Sequence, residues 1–397
     1  MKYFERQDVI ELLSKLVGIR SPYFEEEEIM AFTKNWCMEN GLNARIMHYH
    51  EKKITNFKGQ NVLVELKGQG PGPKLCLNGH LDTVKLCAGW TKNPLGELDD
   101  DRFYGVGSLD MKGGVVAELL ALKAFREDFG DRFKGEIIAS FVSDEEGPFG
   151  LGTDAVIEAG LLKGTSVSLC TEPNPLSGEG EFPALILGAK GGYGLGIELF
   201  GKSAHASKPE TGINAVVDAA AVVDRIKHIK CLQDPLLGSG VYCVLGIESE
   251  IGACSVPDFA KIQLFRHTVP GEDKKTISAE LKKAIEEADI RSEWKIVFRD
   301  TPSEGTDGFM PYTVDEKHPY TKMLLGSIKA VCNKDAVISY YLSIGDFNYL
   351  GSRLDGAPVF VFGPRGENIH GSDEYVYISS IQLIASVIYD FMTRLLL

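Results

Sequence analysis

His80 and Asp82 have the types and the spacing of a metal ligand and the carboxylate that orients it. They stand two residues apart at the end of an apolar segment that begins at Leu75. In an extended chain, side chains at positions i and i+2 point to the same side, so the imidazole and the carboxylate leave the backbone together. A surface histidine beside a turn-forming aspartate has the same spacing, but four later segments favour the metal site.

Asp110 lies in a glycine-rich segment, residues 104–114, directly before a predicted helix start. The Gly-x-Gly within this segment is not followed by a Lys-Ser/Thr pair and lacks the spacing of a dinucleotide-binding loop, so we reject phosphate binding. An acidic residue on a constrained turn is well suited to bridge two metal ions.

Three adjacent carboxylates, those of Asp144, Glu145 and Glu146, follow the apolar segment 137–142. At the end of a buried strand they would repel one another unless a cation lies among them or water solvates them. A solvated turn is therefore the alternative to a metal site at this position.

Two further segments supply a carboxylate and a second imidazole. Glu172 follows the apolar segment 167–170, and His370 lies in a loop after the apolar segment 358–362. A single loop histidine is usually structural. Beside His80, however, it provides the second nitrogen ligand of a two-metal site.

The combined set of two histidines and several carboxylates contains no cysteine. Nitrogen and oxygen ligands suit zinc, cobalt or manganese in a catalytic site with open positions, rather than a closed structural site. Two such ions about 3.5–4 Å apart can share a water molecule, lower its pKa and polarise a carbonyl group. The predicted chemistry is hydrolysis.

Alternating strands and helices are expected to bring these segments together. In the first half of the chain, strands are predicted at 44–48, 61–66, 74–78, 137–142 and 167–170. Buried strands interleaved with helices predict a three-layer α/β domain with a mixed, mostly parallel sheet. Ligands of such sheets bind at the carboxyl ends of the strands, and three of the motifs fall there.

The pattern changes between residues 188 and 300, where the predicted order is βαββαβ. This is the order of a ferredoxin-like domain. We therefore expect a discontinuous metal-binding catalytic domain, residues 1–187 and 301–397, with a ferredoxin-like dimerisation (lid) domain, residues 188–300, inserted into it.

Composition limits the possible partners and compartments. The 397 residues exceed what one core usually organises, and the net charge of −14 argues against nucleic acid or an anionic membrane as a partner. The eight cysteines include no Cys-x-x-Cys pair, as expected for free thiols in a reducing cytosol. No apolar signal core or bilayer-spanning run is seen, so we expect a cytoplasmic protein.

Five motifs in this order carry a resemblance to a known family. They are Gly-His-Leu-Asp-Thr-Val at 79–84, Asp-Met-Lys-Gly-Gly at 110–114, Asp-Glu-Glu-Gly at 144–147, Thr-Glu-Pro at 171–173 and the C-terminal His370. With the inserted domain, the chain resembles the dizinc aminoacylase and carboxypeptidase family, which includes acetylornithine deacetylase and succinyl-diaminopimelate desuccinylase. The resemblance covers nearly the whole chain.

The resemblance implies two divalent ions, for which zinc is expected and cobalt or manganese are alternatives. It implies that His80 and Glu172 bind one ion and that Glu146 and His370 bind the other. Asp110 would then bridge the two ions.

Three further roles follow from the resemblance. Glu145 would be the general base that takes a proton from the bridging water, and Asp82 would orient His80. His205, in the segment Gly201–Pro209, would reach the substrate from the partner subunit of a homodimer and donate to the oxyanion. A polar loop histidine is the alternative for His205.

The chain departs from the family pattern where the substrate is held. Cys254 stands where the family often has Asn, and Phe265-Arg266-His267 stands where it has Asp-x-Arg. Adjacent strand residues face opposite sides, so either Arg266 or His267, but not both, can bind substrate in the cleft. The segment 343–347 also departs from the usual Gly-Thr pattern.

The expected function is metal-dependent hydrolysis of the amide bond of an N-acyl amino acid or a short peptide. A dipeptidase or carboxypeptidase of the same family is the alternative. A metal-holding binding protein without catalysis would be expected to lack the base, yet Glu145 is present.

Overall fold

The computed structural model describes residues 2–147, 149–174, 181–250 and 254–397. Helices and strands are labelled in chain order. The helices are α1 (Arg6–Gly18), α2 (Glu27–Glu39), α3 (Gly113–Phe129), α4 (Leu151–Glu158), α5 (Ala215–Ile226), α6 (Lys274–Glu287), α7 (Pro319–Cys332), α8 (Phe347–Arg353) and α9 (Ile378–Leu396). A π-type turn (Ser108–Lys112) precedes α3, and a 3-10 turn (Pro209–Thr211) precedes α5.

The strands fall into two larger and two smaller sheets. They are β1 (Ala44–His50), β2 (Lys58–Lys67), β3 (Lys74–His80), β4 (Glu97–Asp99), β5 (Arg102–Tyr104), β6 (Glu136–Val142), β7 (Val167–Cys170), β8 (Ala184–Ala189), β9 (Gly191–Phe200), β10 (Gln233–Asp234), β11 (Gly238–Ser239), β12 (Val241–Glu248), β13 (Phe259–Thr268), β14 (Glu293–Phe298), β15 (Tyr312–Thr313), β16 (Val337–Tyr341), β17 (Val359–Val361), β18 (Gly366–Glu367) and β19 (Tyr375–Tyr377).

The largest sheet is mixed and carries helices on both faces. Its strand order is β1-β2-β6-β3-β7-β17-β8-β15, with β16 against β8, and the neighbours β6, β3, β7 and β17 run parallel. Helices α1, α3, α7 and α9 pack together, whereas α4 packs on α8 and on strands β2 and β6. Parallel strands covered on both faces must be apolar, and residues 75–80 of β3 are all buried. The predicted α/β architecture is confirmed.

The second sheet has the order β12-β13-β9-β14 and is antiparallel throughout. With α5 and α6 it gives the βαββαβ order predicted from the sequence. Its buried side chains, among them Ile197, Ile262 and Leu281, form an apolar cluster separate from that of the large sheet. The predicted boundary at 187/188 falls inside β8, which stays in the large sheet up to Ala189.

A small sheet of order β18-β19-β5-β4 was not predicted. Tyr104 at the end of β5 pairs with Tyr375 at the start of β19. The loop that follows β5 therefore lies beside the loop that precedes β19, and these loops carry Asp110 and His370. None of the described helices is long and apolar enough to cross a membrane.

Candidate metal centre

Three neighbouring parallel strands bring four of the predicted residues to one edge of the large sheet. His80 is the last residue of β3, Glu145 and Glu146 follow β6, and Glu172 follows β7. Because β3 lies between β6 and β7 and runs parallel to both, their carboxyl ends coincide. The small sheet then adds Asp110 and His370 to the same place.

Asp110 lies between the two imidazoles. One carboxylate oxygen, Oδ1, is 3.2 Å from His80 Nε2, and the other, Oδ2, is 3.4 Å from His370 Nε2. Each oxygen is thus directed to a different histidine, which is the arrangement needed for a carboxylate that bridges two ions.

His80 is buried, and its Nε2 atom faces three carboxylates. Besides Asp110, it lies 3.7 Å from Glu172 Oε1 and 3.9 Å from Glu145 Oε2. The other ring nitrogen, Nδ1, lies 3.0 Å from the backbone oxygen of Asp82 and 3.6 Å from its Oδ1. With Nδ1 donating to Asp82, the unprotonated Nε2 is the atom available to a metal.

Asp82 also fixes the turn that carries the paired glutamates. Its Oδ1 accepts the backbone N–H of Glu145 at 3.2 Å, and its Oδ2 accepts that of Glu146 at 2.8 Å. Asp82 is fully buried. Asp82 therefore holds His80 mainly through its backbone oxygen and both glutamates through its carboxylate.

Glu146 and His370 form the second half of the cluster. His370 Nε2 lies 2.9 Å from Glu146 Oε2, and the side chain of His370 is half exposed. The backbone of His370 is left-handed, with φ 60°. Non-glycine residues adopt this conformation at a cost of roughly 1–2 kcal/mol, so the surrounding loop must hold it in place.

Glu374 holds the Asp110 turn and was missed in the sequence. Its carboxylate accepts the backbone N–H groups of Gly107 at 2.9 Å, Leu109 at 2.9 Å and Asp110 at 3.0 Å. Glu374 is only 2% exposed. Its position four residues after His370 was a weak signal, because the contact depends on the pairing of β5 with β19.

Glu145 is held from the side opposite to Asp82. Its Oε1 accepts the backbone N–H of Asp346 at 3.2 Å, while Oε2 is the oxygen that faces His80. The loop that carries Asp346 is fixed by Asn348, whose Oδ1 accepts the N–H of Gly345 at 2.9 Å. The segment 343–347, which departs from the family pattern, is thus part of the site.

Asn348 links this loop to the two segments in which the chain passes between the large sheet and the second sheet. Its amide donates to the backbone oxygens of Lys190 at 2.9 Å and Met310 at 2.8 Å, and its side chain is fully buried. Lys190 lies between β8 and β9, and Met310 lies just before β15. The loop that contacts the Glu145 carboxylate is therefore held by the two segments that join the large sheet to the second sheet.

Burial and mutual contact shift the pKa values of the acidic and imidazole groups in this cluster. Burial raises the pKa of Glu145 and of Glu146 to about 8, and burial beside Asp110 raises the pKa of Glu172 well above its ordinary value. Hydrogen bonds to Asp110 and Glu146 raise the pKa of His370 to about 10. Without a metal ion, protons must supply the positive charge that these buried acids need.

The ligand atoms are close enough to share ions. One ligand atom each of His80, Glu145 and Glu172 lie within 4.8 Å of one another, and the same holds for His80, Asp110 and Glu146. Two nitrogen donors and several carboxylate oxygens are a set that suits zinc, cobalt or manganese. The residues present therefore fit a two-metal centre.

The remaining predicted residues lie in the second sheet and its loops. Arg266 is fully buried, pairs with Glu272 and lies over the ring of Tyr242, so its guanidinium does not face the cleft. His267 lies on the opposite side of β13, with its ring 4.8 Å from that of Phe265, which lines the cavity at the metal centre. His205 is exposed and does not line this cavity in its own chain.

Residues 76–394 match the model of Peptidase family M20/M25/M40. The chain belongs to this family. Carboxypeptidase G2 of Pseudomonas sp. (strain RS-16) is 30% identical over 82% of this chain and 75% of its own length. Succinyl-diaminopimelate desuccinylase of Wolbachia pipientis wMel is 23% identical over 97% of this chain and 92% of its own.

Solved structures share the fold. A tripeptidase from Staphylococcus aureus subsp. aureus Mu50 has a TM-score of 0.79 at 19% identity and covers 99% of both chains. An M20 family metallo-carboxypeptidase from Sulfolobus solfataricus has a TM-score of 0.77 at 16% identity, covering 97% of this chain and 98% of its own. This member of the M20 family is a metal-dependent amidohydrolase.

Proposed function

We propose that His80 and Glu172 bind one divalent ion, that Glu146 and His370 bind a second, and that Asp110 bridges them. The observation that carries the proposal is the position of Asp110, with one oxygen directed to each histidine. When bound, two such ions lower the pKa of a shared water molecule and polarise the carbonyl group of the substrate. Zinc is the proposed metal, because the ligand set is nitrogen and oxygen and the chemistry is hydrolytic.

Glu145 is proposed as the general base. Its Oε1 accepts the N–H of Asp346, and its Oε2 lies 3.9 Å from His80 Nε2. The Glu145 side chain also lines the cavity at the metal centre. Glu145 takes a proton from the attacking water and later delivers it to the leaving amine. Asp82 orients His80 and fixes the turn that carries Glu145 and Glu146 by accepting their backbone N–H groups.

The proposed substrate is an N-acyl amino acid or a short peptide, cleaved at its amide bond. The names of the similar proteins, a desuccinylase and a carboxypeptidase, support both classes. A deacetylase activity is one form of the first class, and a dipeptidase or carboxypeptidase is the alternative. A non-catalytic metal-holding protein would not need a general base, whereas Glu145 is present with its carboxylate within 4.8 Å of the His80 and Glu172 ligand atoms.

A homodimer is proposed, with His205 completing the site of the partner subunit. In the described part of the second sheet, β12 is an edge strand, and its Val241, Leu245 and Ile247 side chains are exposed, as expected of a strand that another copy covers. His205 Nδ1 accepts the N–H of Ser207 at 3.1 Å. The proton of the neutral ring is therefore on Nε2, which is the donor offered to an oxyanion.

Three further proposals concern substrate binding, domain division and location. Of the two residues predicted to bind substrate, we propose His267, with Arg266 stabilising the strand that carries it. We retain the division into residues 1–187 with 301–397 and residues 188–300. A cytoplasmic location is supported by the cysteines, which are free thiols in the described structure.

The test is a substrate panel assayed with controlled metal content. Chelator-treated protein is supplied with zinc, cobalt or manganese and offered N-acetyl and N-succinyl amino acids and dipeptides. Hydrolysis that depends on added metal is expected for at least one class, and the class cleaved fastest identifies the preferred acyl group or peptide. If no compound is cleaved with any of the three metals, the proposed function is wrong.

A further inference from the structure

The cavity at the metal centre has a wall that the proposed mechanism does not use. The cavity volume is about 400 Å³, and its lining includes Asp110, the glutamates and His370. Six apolar or aromatic side chains also line it and are called the apolar wall: Phe265, Phe309, Tyr341, Ile344, Phe347 and Ile369.

Contacts with the surrounding structure fix this apolar wall. The ring of Phe309 stacks on that of Tyr349, with centroids 4.8 Å apart, and the rings of Tyr341 and Phe347 are 5.2 Å apart. Phe265 reaches the wall from β13 of the second sheet. At Gly192 a side chain would lie 2.6 Å from the Phe265 ring, so glycine there leaves the room that the ring occupies.

Arg299 also lines the cavity, from the end of β14. Its backbone N–H donates to the oxygen of Gly194 at 2.8 Å, and its guanidinium lies 4.6 Å from the centre of the Phe149 ring. A side chain at Gly194 would come within 3.2 Å of Arg299 Nε, so this glycine leaves space for the arginine. The Phe149 ring and the space at Gly194 thus help to position the Arg299 side chain.

Arg299 supplies the permanent positive charge of the cavity. Among the described lining residues, His370 is the other basic side chain, and it belongs to the ligand cluster. His267 lies nearby, but burial and the charges of Lys190 and Arg266 lower its pKa, so it is neutral at pH 7. A guanidinium stays protonated in proteins and presents a planar fork that matches a carboxylate.

We propose, building on the function given above, that the substrate has a single free carboxylate, bound by Arg299, and a large apolar side chain that packs on the apolar wall beside Phe265. Substrates with several charged groups would leave the additional charges against apolar side chains, where desolvation disfavours them. The preferred class is therefore N-acyl derivatives or peptides of aromatic and branched-chain amino acids.

The test compares substrates that differ in one group and share the acyl group that wild-type protein cleaves fastest, together with succinyl-diaminopimelate as a substrate that carries several charges. The compounds are the phenylalanine, alanine and glutamate derivatives, the phenylalaninamide and succinyl-diaminopimelate. We expect kcat/KM for phenylalanine to exceed that for alanine and for the amide by about 10-fold or more. A preference for glutamate, alanine or succinyl-diaminopimelate would overturn the inference while leaving the proposed function intact.

Two variants assign the groups. Arg299→Met should lower kcat/KM for the carboxylate substrate by about 10- to 100-fold, mainly through KM, and change that for the amide by no more than about 3-fold. Phe265→Ala should remove most of the preference for phenylalanine over alanine. Arg45→Met, at an exposed pair with Glu65, is the matched control and should behave as wild type.

Metal content, measured in each variant, should equal that of wild type. If Arg299→Met retains the discrimination between acid and amide at full metal content, another group binds the carboxylate and the inference is wrong. If wild-type protein cleaves none of the compounds with any metal, the proposed function itself fails, and the two failures are thereby distinguished.

Discussion

Replacing Glu374 with Gln should weaken metal binding without removing any ligand. The carboxylate accepts three backbone N–H groups of the turn that carries Asp110. Glutamine keeps one acceptor oxygen, which retains the bonds to Leu109 and Asp110 when its NH₂ group faces the N–H of Gly107. One charged hydrogen bond is then lost and two become neutral.

The size of the effect follows from these three bonds. Losing the bond to Gly107 and leaving its N–H facing another donor costs about 1–3 kcal/mol, and each weakened bond costs about 0.5–1.5 kcal/mol. The turn is thus less stable by about 2–6 kcal/mol. Bound ions recover part of this by holding Asp110 themselves, so we expect metal affinity to fall by about 10- to 100-fold, as is typical when a ligand's supporting group is changed.

The assay titrates chelator-treated wild type and variant with zinc in a competing chelator and follows occupancy and activity. Asp373→Asn is the matched control, since Asp373 accepts the N–H groups of Thr91 at 2.8 Å and Lys92 at 2.9 Å but is only partly buried and lies outside the ligand cluster. If Glu374→Gln binds both ions as tightly as Asp373→Asn, the turn does not depend on Glu374 and the reasoning is wrong.

Three other predictions rest on different parts of the structure. Burial raises the pKa of Glu118 to about 8, so the contribution of this group to stability is complete below about pH 4.5 and is lost as the pH rises to about 8. In urea unfolding, the stability of Glu118→Gln relative to wild type should therefore increase by roughly 2–4 kcal/mol between pH 5 and pH 8. A difference that does not change with pH would contradict this. Because His370 holds a proton up to about pH 10 without metal, zinc binding at pH 7 should release protons, as measured by calorimetry in buffers of different ionisation enthalpy; heats that do not depend on the buffer would refute it. A doubly purified dimer of a Glu145→Gln chain and a His205→Ala chain should have one intact site and about half of wild-type activity, while each parent homodimer is nearly inactive; a hybrid as inactive as its parents would place His205 in its own chain's site.

The meeting of His80, the paired glutamates and Glu172 at one sheet edge could be predicted because these residues directly follow apolar strands. His80, Glu145 and Glu172 come after segments that can only be buried strands, and parallel neighbours end at the same edge of a sheet. Local sequence therefore fixes where each group lies. The β1, β2, β3, β6 and β7 strands follow the predicted segments for the same reason.

Features that depend on pairing between distant segments could not be predicted. Glu374 reaches Asp110 only because β19 pairs with β5, and both strands are three residues long, too short to show a clear alternation. The role of Asn348 depends on its contacts with Lys190 and Met310, which are distant from it in sequence, and no local pattern indicates such contacts. Nor could the sequence choose between Arg266 and His267, because β13 alternates regularly and the buried partner Glu272 lies beyond its end.

The central claim is that Glu145 moves the proton while five other residues hold two ions. Glu145→Gln tests it most directly, because the amide has the shape of the carboxylate but cannot accept a proton from water. We predict wild-type metal content, measured by elemental analysis, and a loss of kcat of at least about 100-fold on the best substrate of the panel. A variant that keeps most of its kcat, or one that loses both metals, would contradict the assignment.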